Sequence, residues 1–436
     1  MTRIAFIGAG SVEFTRNLLG DFLDFPELHD VEIALHDIDA DRLATAEAMA
    51  RYVASERGAS PRIASHLDRR EAIDGSDFVL NMVQIGGHEA TLLDFEIPAR
   101  YGLRQTIADT LGIGGIFRTL RTAPIMLALG NEMAELCPPN AWLLNYTNPM
   151  AMLCWLVYAG TPTQNVVGLC HSVQNTTEDL CEILGVPEDE VTVLSAGVNH
   201  QAFFLRFEHG GESLYPRLDA RLAADPELQR RVRFALYERL GYFPTESSEH
   251  AAEYVPWFMH HDEELELYRI PVGEYIRRSE RNVGRYEDVK AALARGEAVP
   301  LPRSNEYASL IVHAMVTGEP RVIYGNVRND GLIPNLPDGA CVEVPCVVDR
   351  TGLRPTPVLD YPPHLAALNR TFLNPVELTV RAVLEERPDF VRHAAMLDPN
   401  AAATLTLDEI DALCDELTAA HGDALPASLR KELIRT

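Results

Sequence analysis

The sequence predicts an α/β fold, a doubly wound parallel sheet followed by an α+β domain, on three observations. Short β-branched runs alternate with helical patterns up to about residue 200, the signature of parallel strands joined by crossover helices. Beyond that point the rhythm stops, and charged helical stretches mix with strand-like runs bounded by Pro and Gly. The chain has 436 residues, of which 47% are hydrophobic, enough to bury a core for two domains. The expected division is 1–198 and 199–436.

The strand candidates of the first part are 3–8, 31–36, 62–65, 77–83, 142–145 and 166–169, each a short apolar run. Between them lie 39–57, 116–136 and 150–158, where apolar residues recur at helical spacing. A further strand is expected at 191–198. In the second part 224–240 and 289–296 read as helices and 341–348 as a strand, and 407–421 reads as an amphipathic helix that packs the domain.

Composition excludes several classes. Sixty-four acidic residues against 38 basic ones leave a net charge of −26, the wrong sign for neutralising nucleic-acid phosphates. Only Lys290 and Lys431 are lysines, so Schiff-base chemistry has two candidates. No apolar run approaches the ~20 residues that span a bilayer, and the chain enters its first strand without a cationic leader; no membrane partner and a cytoplasmic location are expected. Seven cysteines, odd in number and without a CxxC pair, argue against a disulfide scaffold or structural zinc.

The first strand runs into Gly8-Ala9-Gly10-Ser11 and a helix follows at once. In a Rossmann fold of the lactate/malate dehydrogenase type this is where a pyrophosphate sits. Gly8 allows the tight turn, Gly10 allows close backbone approach, and the helix N-terminus supplies N–H donors. Glu13 occupies the place of the usual third glycine. The second strand ends in Asp37, 27 residues after Gly10, near the separation of a carboxylate that holds a ribose diol and selects NAD over NADP. Asn81 and Gln84, after the fourth strand, are expected along the cofactor.

Two residues close strands farther on. Cys170 follows 166–169 and His200 follows 191–198, with Asn199 beside it. A thiolate and an imidazole delivered to the carboxyl edge of a sheet suit a borderline divalent ion and leave positions open for water and substrate. Packed, satisfied side chains are the alternative for such a pair alone.

Four unusual peptides occur in order: Asp109-Thr110-Leu111-Gly112-Ile113-Gly114-Gly115-Ile116, Asn145-Tyr146-Thr147-Asn148-Pro149-Met150, Cys170-His171-Ser172-Val173-Gln174 and Gly197-Val198-Asn199-His200. Together with the segment Gly241 to Phe258 and the segment Tyr324 to Ile333, they resemble glycoside hydrolase family four, the NAD- and metal-dependent glycosidases that stand outside two-carboxylate hydrolysis. The resemblance runs from Arg3 to about His421 and is nearest the α-galactosidase, melibiase-type branch.

That resemblance implies an NAD- and Mn-dependent α-galactosidase acting on a small α-glycoside. Hydride leaves C3 of the sugar, a tyrosine takes the acidified C2 proton, the aglycone is eliminated, water adds and the hydride returns. It implies Cys170 and His200 as metal ligands and Tyr254 as the base, with an ordinary buried aromatic as the alternative for Tyr254. Asn148, Asp109 and Asn199 become substrate contacts. His171 stands where phosphosugar members carry an aspartate; an imidazolium of pKa ~6.5 can protonate a leaving group, and another group or water is the alternative. A homodimer or homotetramer is implied. The ligand pair would also accept iron, cobalt or nickel.

Other readings remain. Glu246, Glu249 and Glu253, three and four apart, fit one helical face, either as a two-carboxylate pair or as a solvated acidic face. A lactate/malate-type dehydrogenase shares the architecture, and an NAD-binding regulator is the non-enzyme alternative. Within the family α-galacturonidase, α-glucosidase and α-glucuronidase compete, and Arg118 with Arg121, one turn apart, is a candidate clamp for a sugar carboxylate, for cofactor phosphates or for a helix cap.

Overall fold

The six runs expected as parallel strands all form them: β1 (Arg3–Ile7), β2 (Glu32–His36), β3 (Arg62–His66), β4 (Phe78–Asn81), β5 (Trp142–Asn145) and β6 (Val166–Gly168). They pair in parallel in the order β3-β2-β1-β4-β5-β6, the strand order of a Rossmann sheet. β1, β2, β4, β5 and β6 are mostly buried, because a strand covered on both faces has no solvent side to make polar, whereas β3 at the sheet edge has no fully buried residue. This computed structural model describes residues 1–430, so Lys431 lies outside the described residues. Lys290 is at the surface, paired with Asp41.

The strands of the second half do not build a separate sheet. β7 (Val191–Val198), β8 (Gln201–His209), β9 (Glu212–Ser213), β10 (Phe243–Pro244), β11 (Arg321–Arg328), β12 (Cys341–Asp349) and β13 (Gly352–Pro355) join the first six, for 13 strands among the described residues. β11 pairs antiparallel with β6, and the sheet continues through β12, β7, β8 and β10. The expected division at 198/199 falls in the β7–β8 turn, and both strands of that hairpin belong to the one sheet. Apolar residues from both halves, such as Leu144, Val167, Val344 and Phe372, share one core.

Three helical expectations change in extent. The helix expected at 116–136 begins earlier, as Gly112–Leu136. Its glycines let it press on the preceding loop, since a Cβ on Gly114 would lie 2.6 Å from the Ala108 carbonyl oxygen. The stretch 224–240 is not one helix. Tyr215–Ala224, Pro226–Gln229 and Val232–Leu240 are separate, because Pro226 cannot continue a hydrogen-bonded turn and Asp225 caps a new start by accepting from the Glu227 amide. Residues 289–296 belong to the end of the longer helix Glu274–Arg295. The helix Leu407–His421 forms as expected, behind a Thr406/Glu409 capping box.

The described cysteines are all free thiols, five buried and two, Cys137 and Cys170, partly exposed. Among the described residues no helix is long and apolar enough to cross a membrane.

Candidate active site

The β1–helix turn lines a cleft of 800 Å³ together with the ends of β2 and β4. Gly8, Gly10, Ser11, Asp37 and Gln84 all line it. Gly8 has φ +88°, a left-handed conformation, and a Cβ there would lie 3.1 Å from the backbone of Met82 and Val83. At Gly10 a Cβ would lie 2.4 Å from Asp37 Oδ2, the atom that accepts the Gly10 amide at 2.8 Å. Both glycines are thus required by close approach, and the Asp37 carboxylate is fixed at the cleft rim. These residues fit a dinucleotide: a helix N-terminus and bare backbone for the pyrophosphate, and an acid at the end of β2 for a ribose. Asn81 is different. It is wholly buried, its amide donates to Asn145 Oδ1 at 2.8 Å and Thr147 Oγ1 at 3.1 Å, and Thr147 in turn donates to the Val83 carbonyl. Its side chain ties two loops beneath the cleft instead of forming the wall.

At the carboxyl edge of the sheet Cys170 and His200 do meet. The Cys170 sulfur lies 3.3 Å from His200 Nε2, and Glu246 Oε2 lies 3.3 Å from the same nitrogen. The three ligand atoms all fall within 4.8 Å of one another. A thiol, an imidazole and a carboxylate converging from separate elements fit a borderline divalent ion such as Mn²⁺. Burial pushes the Cys170 thiol up to about 12, so the free site holds it protonated. Glu246 is the reverse case: burial opposes its ionisation, but His200 and His250 outweigh burial and hold it down at about 2.

His200 sits in the β7–β8 turn with φ +65°. Its other nitrogen, Nδ1, is 2.9 Å from Thr110 Oγ1 and 3.4 Å from the Tyr254 hydroxyl. Thr110 donates to Asp109 Oδ1 at 2.8 Å, and Asn148 donates to Asp109 Oδ2 at 3.2 Å. Asp109 is buried, which favours its neutral form, yet His250, Arg118 and His200 hold its carboxyl well below the usual range. Asp109 and Asn148 line the same 800 Å³ cleft as Gly8, Gly10 and Asp37. Tyr254 is 1% exposed, and burial with the charges of Glu253 and Asp109 keeps its phenol well above the ordinary value.

His171 faces a second cavity of 540 Å³, which Glu246 also lines. Its Nδ1 is 3.2 Å from Glu306 Oε1, and this hydrogen bond raises the imidazole to about 9. It is therefore cationic near neutral pH, the state a proton donor needs. Asn199, by contrast, is fully buried and donates to Glu343 Oε2 at 3.4 Å, away from both cavities.

The three glutamates Glu246, Glu249 and Glu253 do not share one helical face, solvated or catalytic: only Glu249 and Glu253 lie in the helix, and Glu253 is buried against backbone amides. The helix there is Ser248–Glu253, so Glu246 precedes it. Glu253 is buried and accepts from the backbone amides of Thr106, Ile107 and Ala108, which fixes the loop before Asp109. Glu246, named in the sequence only as a member of an acidic cluster, stands instead with Cys170 and His200, and His250 beside it had no place in the sequence reading. Their i,i+4 spacing was the available signal: His250 Nδ1 is 3.5 Å from Glu246 Oε1, and His250 Nε2 is 3.7 Å from Asp109 Oδ1. The Arg118/Arg121 pair also divides. Arg121 is buried on Asp94, with Nη1 at 3.1 Å from Oδ1. Arg118 alone reaches the cleft, donating to the Asn148 carbonyl at 3.1 Å and the Tyr275 hydroxyl at 3.2 Å.

Residues 3–186 match the family model described as Family 4 glycosyl hydrolase, and residues 195–401 match the Family 4 glycosyl hydrolase C-terminal domain. The chain is 44% identical to an alpha-galactosidase of Bacillus subtilis (strain 168) over 431 residues, covering 98% of this chain and 99% of the relative. It is 34% identical to an alpha-galactosidase of Rhizobium meliloti (strain 1021), covering 97% and 89%. Among solved structures, a putative glucosidase from Bacillus subtilis superposes with a TM-score of 0.88 at 23% identity, covering 96% and 99%. The 6-phospho-beta glucosidase of Thermotoga maritima, solved with manganese, NAD+ and glucose-6-phosphate, superposes with a TM-score of 0.80 at 21% identity, covering 97% and 99%.

Proposed function

The chain belongs to family 4 of the glycosyl hydrolases and is a glycosidase, and from that premise we propose that it is an α-galactosidase that works with NAD⁺ and a divalent ion, Mn²⁺ first. The observation that carries this reading is the convergence of Cys170, His200 and Glu246 within 4.8 Å beside a cleft bearing Gly8, Gly10 and Asp37. A two-carboxylate hydrolase has no use for such a cleft. A lactate/malate-type dehydrogenase has no use for the thiol and carboxylate on the same imidazole.

When bound, NAD⁺ supplies a hydride acceptor, and the divalent ion supplies a Lewis acid and the positive charge that makes the thiol and the Tyr254 phenol easier to ionise. The protein's own groups do the rest. Asp109 and Asn148, hydrogen-bonded to each other, hold sugar hydroxyls in the cleft. Tyr254 takes the proton at C2, placed by its contact with His200. His171 gives a proton to the departing C1 oxygen, held in its charged form by Glu306. Tyr254 is buried, which excludes water from the abstracted proton.

Galactoside is preferred over galacturonide for two reasons. The two alpha-galactosidase relatives match nearly the whole chain. In addition, Arg121 is neutralised by Asp94, so the pair that a sugar carboxylate would use is reduced to Arg118, itself balanced by Asp109. Comparing nitrophenyl α-galactoside with nitrophenyl α-galacturonide, in the presence of NAD⁺, Mn²⁺ and a thiol reductant, tests this choice. Faster turnover of the galacturonide would overturn it.

A further inference from the structure

The two strands that deliver Cys170 and His200 are not neighbours. β11 and β12 lie between β6 and β7, so the 3.3 Å approach of sulfur to imidazole depends on the register of four strands. One row crosses all four: Gly168 on β6 is aligned with Asn326 on β11, Asn326 with Glu343 on β12, and Glu343 with Gly197 on β7. The ends of this row are glycines without room for a side chain, since a Cβ would lie 2.4 Å from Met150 Sδ at Gly168 and 2.7 Å from Ala202 Cα at Gly197. Its middle is polar and completely buried.

Side-chain bonds follow the row. Asn326 Nδ2 donates to the Gly168 carbonyl at 3.2 Å and to Glu343 Oε2 at 3.2 Å, and Asn199 Nδ2 donates to the same carboxyl oxygen at 3.4 Å. The chain of contacts thus begins two residues before Cys170 and ends one residue before His200. The remaining oxygens, Glu343 Oε1, Asn326 Oδ1 and Asn199 Oδ1, are buried without a donor among the described residues. Such a cluster is costly in a sheet that could have been wholly apolar, and among the described residues Glu343 makes no ion pair that would offset the cost. Burial raises the Glu343 carboxyl above its usual value, against the opposing hydrogen bonds from Asn199 and Asn326.

We propose that Glu343 is a positioning residue for the metal centre: through Asn326 and Asn199 it ties the strand end carrying Cys170 to the turn carrying His200, and so sets the spacing of two ligands drawn from separated strands. This rests on the reading of Cys170 and His200 as ligands. Glu343 touches neither substrate nor cofactor. Groups of this kind set ligand orientation, and their loss weakens metal binding about 10–100-fold.

The test is Mn²⁺ affinity of the full-length protein, read from the paramagnetic resonance of free Mn²⁺, with NAD⁺ affinity measured alongside by calorimetry. Wild type and Cys170→Ser come first; if Cys170→Ser binds Mn²⁺ as tightly as wild type, the ligand reading itself fails and this inference falls with it. With that control passed, Glu343→Leu is expected to weaken Mn²⁺ binding about 10-fold or more, with NAD⁺ affinity unchanged. Glu343→Gln, neutral with one donor and one acceptor group, is expected to restore most of the loss. Unchanged Mn²⁺ affinity in Glu343→Leu, an equal loss of NAD⁺ and Mn²⁺ binding, or a Gln variant as weak as the Leu variant would overturn the proposal. If Glu343→Leu does not fold, Asn199→Ala removes only the contact on the His200 side; weaker Mn²⁺ binding supports the bridge and unchanged binding overturns it.

Discussion

The hydroxyl of Tyr254 lies 3.4 Å from Nδ1 of His200, and Nε2 of the same ring lies 3.3 Å from the Cys170 sulfur. One imidazole therefore sets the distance between the proposed base and the proposed metal donors. The turn that presents His200 places the ring by backbone geometry, at a positive φ that few residues other than glycine adopt.

Tyr254→Phe removes only the hydroxyl and keeps the edge-on packing against Phe372, at 5.4 Å between ring centroids. Turnover is expected to fall about 10²–10⁴-fold, the contribution of a positioned base, while Mn²⁺ and NAD⁺ still bind. Steady-state kinetics with calorimetric titrations check this, and near-normal turnover would remove Tyr254 from the reaction.

Cys170→Ser exchanges a soft donor for a hard, neutral one. Metal-dependent turnover is expected to disappear while NAD⁺ binding survives. Because Cys170 is partly exposed, the wild type is also expected to lose activity in air and to regain it with thiol plus Mn²⁺. Activity that persists in air without reductant would contradict a ligand role for this thiol.

His171→Ala separates leaving groups. A nitrophenolate departs without much help, whereas a sugar alkoxide needs a proton. The variant is expected to lose about 10²-fold or more on a disaccharide and far less on the nitrophenyl galactoside. Equal losses on both substrates, in kcat/KM, would argue against His171 as the acid.

Stability carries its own pH signature through Asp398, a fully buried helix cap whose carboxyl burial raises to about 7, with the charge of Glu253 adding to the effect. The folded value stands above the unfolded one, so this group's stabilisation is complete below pH ~4 and is lost as pH rises toward 7. Asp398→Asn does not ionise and is expected to lack this slope. Between pH 4 and 8 the stability difference between wild type and variant should change by up to about 4 kcal/mol, read from urea melts. Parallel profiles would contradict the raised value.

The parallel half of the sheet was legible because its inner strands are largely apolar on both faces and short turns separate them from helices; β1 to β6 fall within a few residues of their expected bounds. Cys170 and His200 were legible for a related reason, since each closes a strand. Asn81 closes a strand as well, but its side chain turned inward to Asn145, and a strand's end does not reveal which way its last residue points. Glu246 was legible as an acid but not as a neighbour of Cys170 and His200, because it follows β10, a strand of two residues with no periodicity to read. The row Gly168–Asn326–Glu343–Gly197 joins Gly168 to Asn326 across 158 positions of sequence, and only strand order brings it together. The break at Pro226 was available in the sequence and was overridden by the helical pattern on either side.

The central claim is that the glycosidic bond is broken by elimination after proton removal at C2. Hydrolysis of an α-galactoside in deuterium oxide, with NAD⁺, Mn²⁺ and reductant, followed by magnetic resonance or mass analysis of the released sugar, tests it most directly. Deuterium at C2 of the released galactose is the expected result. Release of galactose that carries no deuterium at C2 would contradict the elimination route and with it the role given to Tyr254.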